Sequence, residues 1–85
     1  MSWQVVVDSY VRKYLKKIPI SDANRIAAVL LELVVNPYSG DVEKMNDELN
    51  SWRRRTGSYR ILYEIYTSRK IVYVSEIKRR TSKTY

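Results

Sequence analysis

Ten of the chain's basic residues fall within residues 51–85, against only two carboxylates there, Glu64 and Glu76, and five of its eight tyrosines lie in the same stretch. Guanidinium and ammonium groups pair with phosphates and tyrosine rings stack on bases, so this composition suits a nucleic acid. A solvated sheet face carrying solubility charges has the same composition. Residues 1–50 carry six basic and seven acidic side chains, so essentially all of the formal charge of +7 comes from the last 35 residues. There is no Cys and no His, which removes thiol nucleophiles, disulfides, zinc thiolates, the commonest metal ligand and the commonest acid/base group. Chemistry is left to Arg, Lys, Tyr, Ser and carboxylates. Glu64 and Glu76 belong to separate segments and are too few for a two-metal nuclease centre, so neither metal nor other cofactor is expected.

These side chains need a scaffold, and 85 residues allow one small domain, 1–85, with a thin core and no deep enclosed cavity. Trp3 to Val7 is short and β-branched and reads as a strand. Asp8 or Ser9 can cap a helix in which Val11, Tyr14, Leu15 and Ile18 recur at helical spacing, ended by Pro19. Ser21 or Asp22 can cap a second helix, whose stripe Ile26, Val29, Leu30, Leu33 and Val34 runs to Asn36-Pro37. Tyr38 to Asn50 has no clear period and reads as a loop. From Ser51 the period becomes two: SWRRRT, a turn at Gly57-Ser58, YRILYEIY, a turn over 67–70, and IVYVSEIK. The order β-α-α-β-β-β predicts an α+β domain with a helical hairpin on one face of a small antiparallel sheet. The longest near-apolar run, Ile26 to Val35, is broken by Glu32 and is about half the length of a membrane span. No leader pattern is evident, so the cytoplasm is the expected location, with no membrane partner.

Alternation along the strands sorts the charges by face. If Trp52 faces the helices, Arg53 and Arg55 point to the uncovered side. Ile61, Tyr63 and Ile65 make a better core than Leu62, Glu64 and Tyr66, which sends Arg60 to the uncovered side as well. Arginines on neighbouring strands repel unless an anion binds among them.

The segment from Trp52 to Ile65, WRRRTGSYRILYEI, resembles the central signature of the RelE/ParE toxin superfamily, in which a W/Y-R-x-R strand turns tightly into Y-R-x-x-Y. The helical hairpin ending in Asn36-Pro37, the Gly40-Asp41-Val42 loop and the basic ending from Lys78-Arg79-Arg80 to Tyr85 resemble the same superfamily, so the likeness covers nearly the whole chain. It implies the RelE-like microbial ribonuclease fold. The RelE branch implies a type II toxin that enters the ribosomal A site, cuts mRNA without a metal and arrests translation, held inactive by a cognate antitoxin. The ParE branch implies a poison of DNA gyrase that cuts no RNA. RelE-type toxins carry an Arg in the Y-R motif, an Arg after the last strand and a Tyr near the C-terminus, which fall here on Arg60, Arg79 and Tyr85. That set favours the RelE branch, an mRNA interferase.

The resemblance also implies roles. Cleavage by the RNA's own 2′-hydroxyl requires proton removal, charge stabilisation on phosphorus and protonation of the leaving 5′-oxygen. Arg60 and Arg79 are the candidates for binding the scissile phosphate, with Arg79 also at the leaving oxygen. Tyr85 is the platform on which a nucleotide stacks. Arg53 occupies the position of the base but stays protonated, so it is ranked as an electrostatic helper. Glu43, then Lys78 and Lys83, are the candidate bases. Arg54, Arg55 and Arg80 are expected to bind RNA, ribosomal RNA included. Ser51 and Arg53 stand where many ribonuclease members carry Lys, and Arg54 stands where an apolar residue is usual.

Overall fold

Along YRILYEIY every second side chain is apolar or aromatic, and the strand it forms, β4 (Tyr59–Tyr66), buries Tyr59, Ile61, Tyr63 and Ile65 on one face. The computed structural model describes residues 2–45 and 50–79. Around β4 it arranges β1 (Gln4–Val7), β2 (Val42–Lys44), β3 (Ser51–Thr56) and β5 (Ile71–Arg79) in one sheet of order β1-β5-β4-β3-β2. Two helices, α1 (Ser9–Leu15) and α2 (Ile20–Val35), cover one face. Val11 of α1 and Ile26, Val29 and Leu33 of α2 meet Tyr59, Ile61, Tyr63, Ile65, Val72, Val74 and Ile77 of the sheet in a single core. Each fully buried aliphatic side chain contributes about 1.5–3 kcal/mol.

The helices start and stop for local reasons. Asp8 caps α1, its carboxylate accepting from the Tyr10 amide at 2.9 Å. α2 starts earlier than Ser21 or Asp22 would allow as caps. Pro19 is its cap residue, and the Ala23 amide donates to the Pro19 carbonyl at 3.0 Å. Asp22 then lies in the first turn, and its carboxylate accepts from the Tyr59 hydroxyl at 2.9 Å. Asn36 ends α2, as the following proline requires.

Two features of the sheet differ from the sequence reading. The segment taken as a loop contains β2, a three-residue edge strand antiparallel to β3, too short to establish a period. β1 pairs with β5 in parallel, whereas the other pairings are antiparallel. Tight turns dictate antiparallel pairing only for strands that they join, and β1 is separated from β5 by nearly the whole chain. Within β5 the period of two breaks: Leu62 pairs with Glu76 while Tyr63 pairs with Val74, leaving Ser75 as the extra residue of a bulge. The bulge turns Ile77 inward after Val72 and Val74 and so decides which way the basic end of the strand faces. Among the described residues no helix is long and apolar enough to cross a membrane.

Candidate nucleic-acid interface

Strand register arranges the uncovered face in rows. Nearest the Gly57-Ser58 turn, Arg55 lies opposite Arg60 and Arg60 opposite Lys78, three cations in line across three strands. The next row is Glu43, Arg53, Leu62 and Glu76. Beyond it come Ser51, Glu64 and Tyr73. Positive charge is therefore concentrated at the turn end of the sheet rather than spread over its face.

The predicted gathering of Arg53, Arg55 and Arg60 is present, but the chain supplies anions for two of them. Glu43 accepts from Arg53 at 2.7 Å and Asp41 from Arg55 at 3.0 Å. Arg60 has no ion pair among the described residues. These five side chains line a cleft of about 60 Å³, too small to enclose a nucleotide. It is a place for one anionic group on an open surface. The Arg53 hydrogen bond, then its charge, holds the Glu43 carboxyl below the usual carboxylate range. Glu43 is thus ionised at neutral pH, which suits a proton acceptor, while its lowered pKa weakens it as a base. Asp41 was missed as a partner of this site. The signal was the pair Asp41-x-Glu43, two acids at the spacing of Arg53-x-Arg55.

Arg54 corrects an expectation. It points to the helix side, is 9% exposed and cannot reach a nucleic acid on the open face. Its guanidinium donates to Glu32 of α2 at 2.7 Å and to the Ser39 carbonyl at 3.2 Å. Gly40, at φ +85°, passes so close that a Cβ there would lie 2.4 Å from the guanidinium carbon. The Tyr63 hydroxyl donates to the Pro37 carbonyl at 2.9 Å, and burial pushes that phenol up to about 12. The segment 37–40 is therefore pinned from below by β3 and β4, which sets where Asp41 and Glu43 emerge.

Arg79 is not beside Arg60. It pairs with Tyr59, on the helix side, with its guanidinium 5.9 Å from the centre of that ring. The residue that shares a face with Arg60 is Lys78. Arg80, Lys83 and Tyr85 lie outside the described residues. Among the described residues there is no group of three or more metal-ligating side chains.

The profile of the ParE toxin of type II toxin-antitoxin systems matches residues 5–83. The chain belongs to this family, within the RelE/ParE toxin superfamily. It is a type II toxin. No curated protein matches it by sequence. Among solved structures, this toxin is similar to the archaeal RelE in a RelE-RelB complex from Pyrococcus horikoshii, at TM-score 0.83 and 24% identity over 98% of this chain and 100% of that one. It is similar to the toxin-antitoxin complex RelBE2 from Mycobacterium tuberculosis at TM-score 0.82 and 21% identity, covering 94% and 100%. The isolated E. coli RelE toxin gives TM-score 0.81 at 14% identity, covering 95% and 87%. At these identities the toxin shares a fold with them, and the α+β architecture read from the sequence is that fold.

Proposed function

We propose that this toxin is a ribosome-dependent endoribonuclease that cuts mRNA in the A site through 2′-hydroxyl attack and is held inactive by a cognate antitoxin. The observation that carries the reading is Arg60, a cation without an ion-pair partner among the described residues, flanked by Arg53–Glu43 and Arg55–Asp41 on an open sheet face. A guanidinium so placed binds a phosphate bidentately and stabilises the charge that accumulates as the 2′-oxygen adds to phosphorus. Glu43, held by Arg53 next to the cleft, accepts the 2′-proton. Lys78, opposite Arg60, gives a proton to the 5′-oxygen as its bond to phosphorus breaks. The products are a 2′,3′-cyclic phosphate and a free 5′-hydroxyl. Arg79, on the other face, is left to hold the RNA at a neighbouring phosphate. No residue in this scheme requires a metal.

Similar toxins solved with RelB antitoxins support a cognate antitoxin partner. Its toxin-binding segment is acidic or amphipathic and lies across the basic end of the sheet, with binding that weakens as salt rises.

A second reading, a toxin that binds DNA gyrase or another target without cutting RNA, is favoured by the separation of Arg79 from Arg60 on opposite faces and by the ParE profile. One experiment separates the two. The toxin is induced in a bacterial host while mRNA 5′ ends, protein synthesis and DNA supercoiling are followed. Codon-positioned cuts with arrested synthesis support the nuclease; altered supercoiling without cuts supports the second reading.

A further inference from the structure

The basic rows of the two sheet faces end at the same place. On the open face this is Arg55, Arg60 and Lys78. On the helix side Arg79 stands over Tyr59, and Arg25 of α2 reaches the Gly57-Ser58 turn. A Cβ built on Gly57 would lie 2.4 Å from Nη1 of Arg25, so the guanidinium rests against the bare backbone of the turn. The carboxylates at this end are engaged: Asp22 accepts from the Tyr59 hydroxyl and Asp41 from Arg55. Among the described residues Arg25, Arg60, Lys78 and Arg79 have no ion pair. The turn is therefore a narrow ridge with unneutralised cations on both flanks, and because Gly57 has no side chain the Arg25 guanidinium reaches its crest.

We infer that the β3–β4 turn is a saddle crossed by the sugar-phosphate backbone of single-stranded RNA, with Arg25 binding a phosphate on the helix side while Arg60 holds one on the open side. This explains how Arg60 and Arg79 serve one ligand from opposite faces, since a strand crossing the turn meets both. A ligand confined to the open face would leave Arg25 and Arg79 idle. The inference rests on the proposed function for the identity of the polyanion as RNA, and its test is kept separate from cleavage.

The test is binding of a labelled, uncleavable 2′-O-methyl oligoribonucleotide to the full chain, measured by fluorescence anisotropy across a salt series. Each phosphate contact on a single strand contributes about 0.7 to the slope of log affinity against log salt. Arg25→Gln should weaken binding severalfold for every sequence tried and lower the slope by about that amount, Arg25→Lys should keep the parental slope, and Arg60→Gln should behave like Arg25→Gln. If the Gln and Lys variants at Arg25 weaken binding equally, the residue acts through packing on the turn and the inference is overturned. If Arg25→Gln binds like the parent while Arg60→Gln does not, the inference fails and the proposed function stands. If Arg25→Gln lowers the slope but ribosome-bound mRNA is never cut, the saddle stands and the nuclease reading fails.

Discussion

Arg54 of β3 and Glu32 of α2 are joined at 2.7 Å across the boundary between sheet and helices, the arginine nearly buried and the glutamate half exposed. A charge on the inward face of a strand is tolerable only with such a partner. The Nε of Arg54 is buried without a hydrogen bond among the described residues, so the pair already operates at a cost. Glu32→Ala should destabilise the fold by about 1–2 kcal/mol, discounted for the exposure of the glutamate. Arg54→Met in the Glu32→Ala background should recover most of that, because an apolar side chain of similar length needs no partner. Urea denaturation of the parent and the two variants checks both expectations.

Arg53 keeps Glu43 ionised below the usual carboxylate range. In single-turnover cleavage on saturated ribosomes, the parent should therefore be flat around neutrality, with an acidic limb below the ordinary glutamate range. In Arg53→Gln the hydrogen bond and the charge are lost, and the limb should move upward. Glu43→Gln should remove the limb and most of the rate. An unmoved limb in Arg53→Gln would exclude Glu43 as its origin.

Release of Arg55 from Asp41 should have the opposite effect on ligand. Asp41→Asn removes the internal anion 3.0 Å from the guanidinium and leaves the row Arg55, Arg60, Lys78 wholly cationic. Oligoribonucleotide binding should tighten and its salt slope should steepen. An antitoxin segment that lies on this row should tighten in parallel.

Tyr63 has a folded-state pKa of about 12 against an ordinary 10.0 because burial disfavours its phenolate. The sign follows from that direction: the folded state is favoured by the neutral phenol, fully below about pH 10, and this contribution is lost as pH rises through about 12. A spectrophotometric titration should show one fewer late-titrating phenol in Tyr63→Phe than in the parent, the raised Tyr59, Tyr66 and Tyr73 remaining. That variant should also cost about 1 kcal/mol at neutral pH through the unpaired Pro37 carbonyl.

Much of this arrangement was legible in the residues. The alternation of Tyr59, Ile61, Tyr63 and Ile65 correctly assigned the faces of β4 and with them the placement of Arg60 on the open face. The stripe Ile26, Val29, Leu30, Leu33 and Val34 assigned the inner face of α2, of which Ile26, Val29 and Leu33 are buried and Leu30 and Val34 partly so. Beyond the parallel pairing of β1 with β5 and the part of Asp41, three things escaped for physical reasons. β2 is three residues long, and its register is marked by ion pairs, Glu43 with Arg53 at 2.7 Å, rather than by hydrophobic period. Arg54 breaks the inward pattern of β3, and its compensation lies 22 residues away on another element, beyond the reach of local reasoning. The facing of Arg79 depends on the bulge at Ser75; its one trace in the sequence is the spacing of three between Val74 and Ile77, where continued alternation requires two.

The nuclease account turns on Arg60, and the most direct measurement is the single-turnover rate at which Arg60→Ala cuts mRNA on saturated programmed ribosomes. Arg60 is half-buried but has no ion pair among the described residues, so its truncation should leave the fold intact and the thermal midpoint close to that of the parent. The cleavage rate should fall by about 10²-fold or more, the usual loss when one donor to a developing oxyanion is deleted. A folded Arg60→Ala toxin that cuts within a few fold of the parental rate would contradict the account.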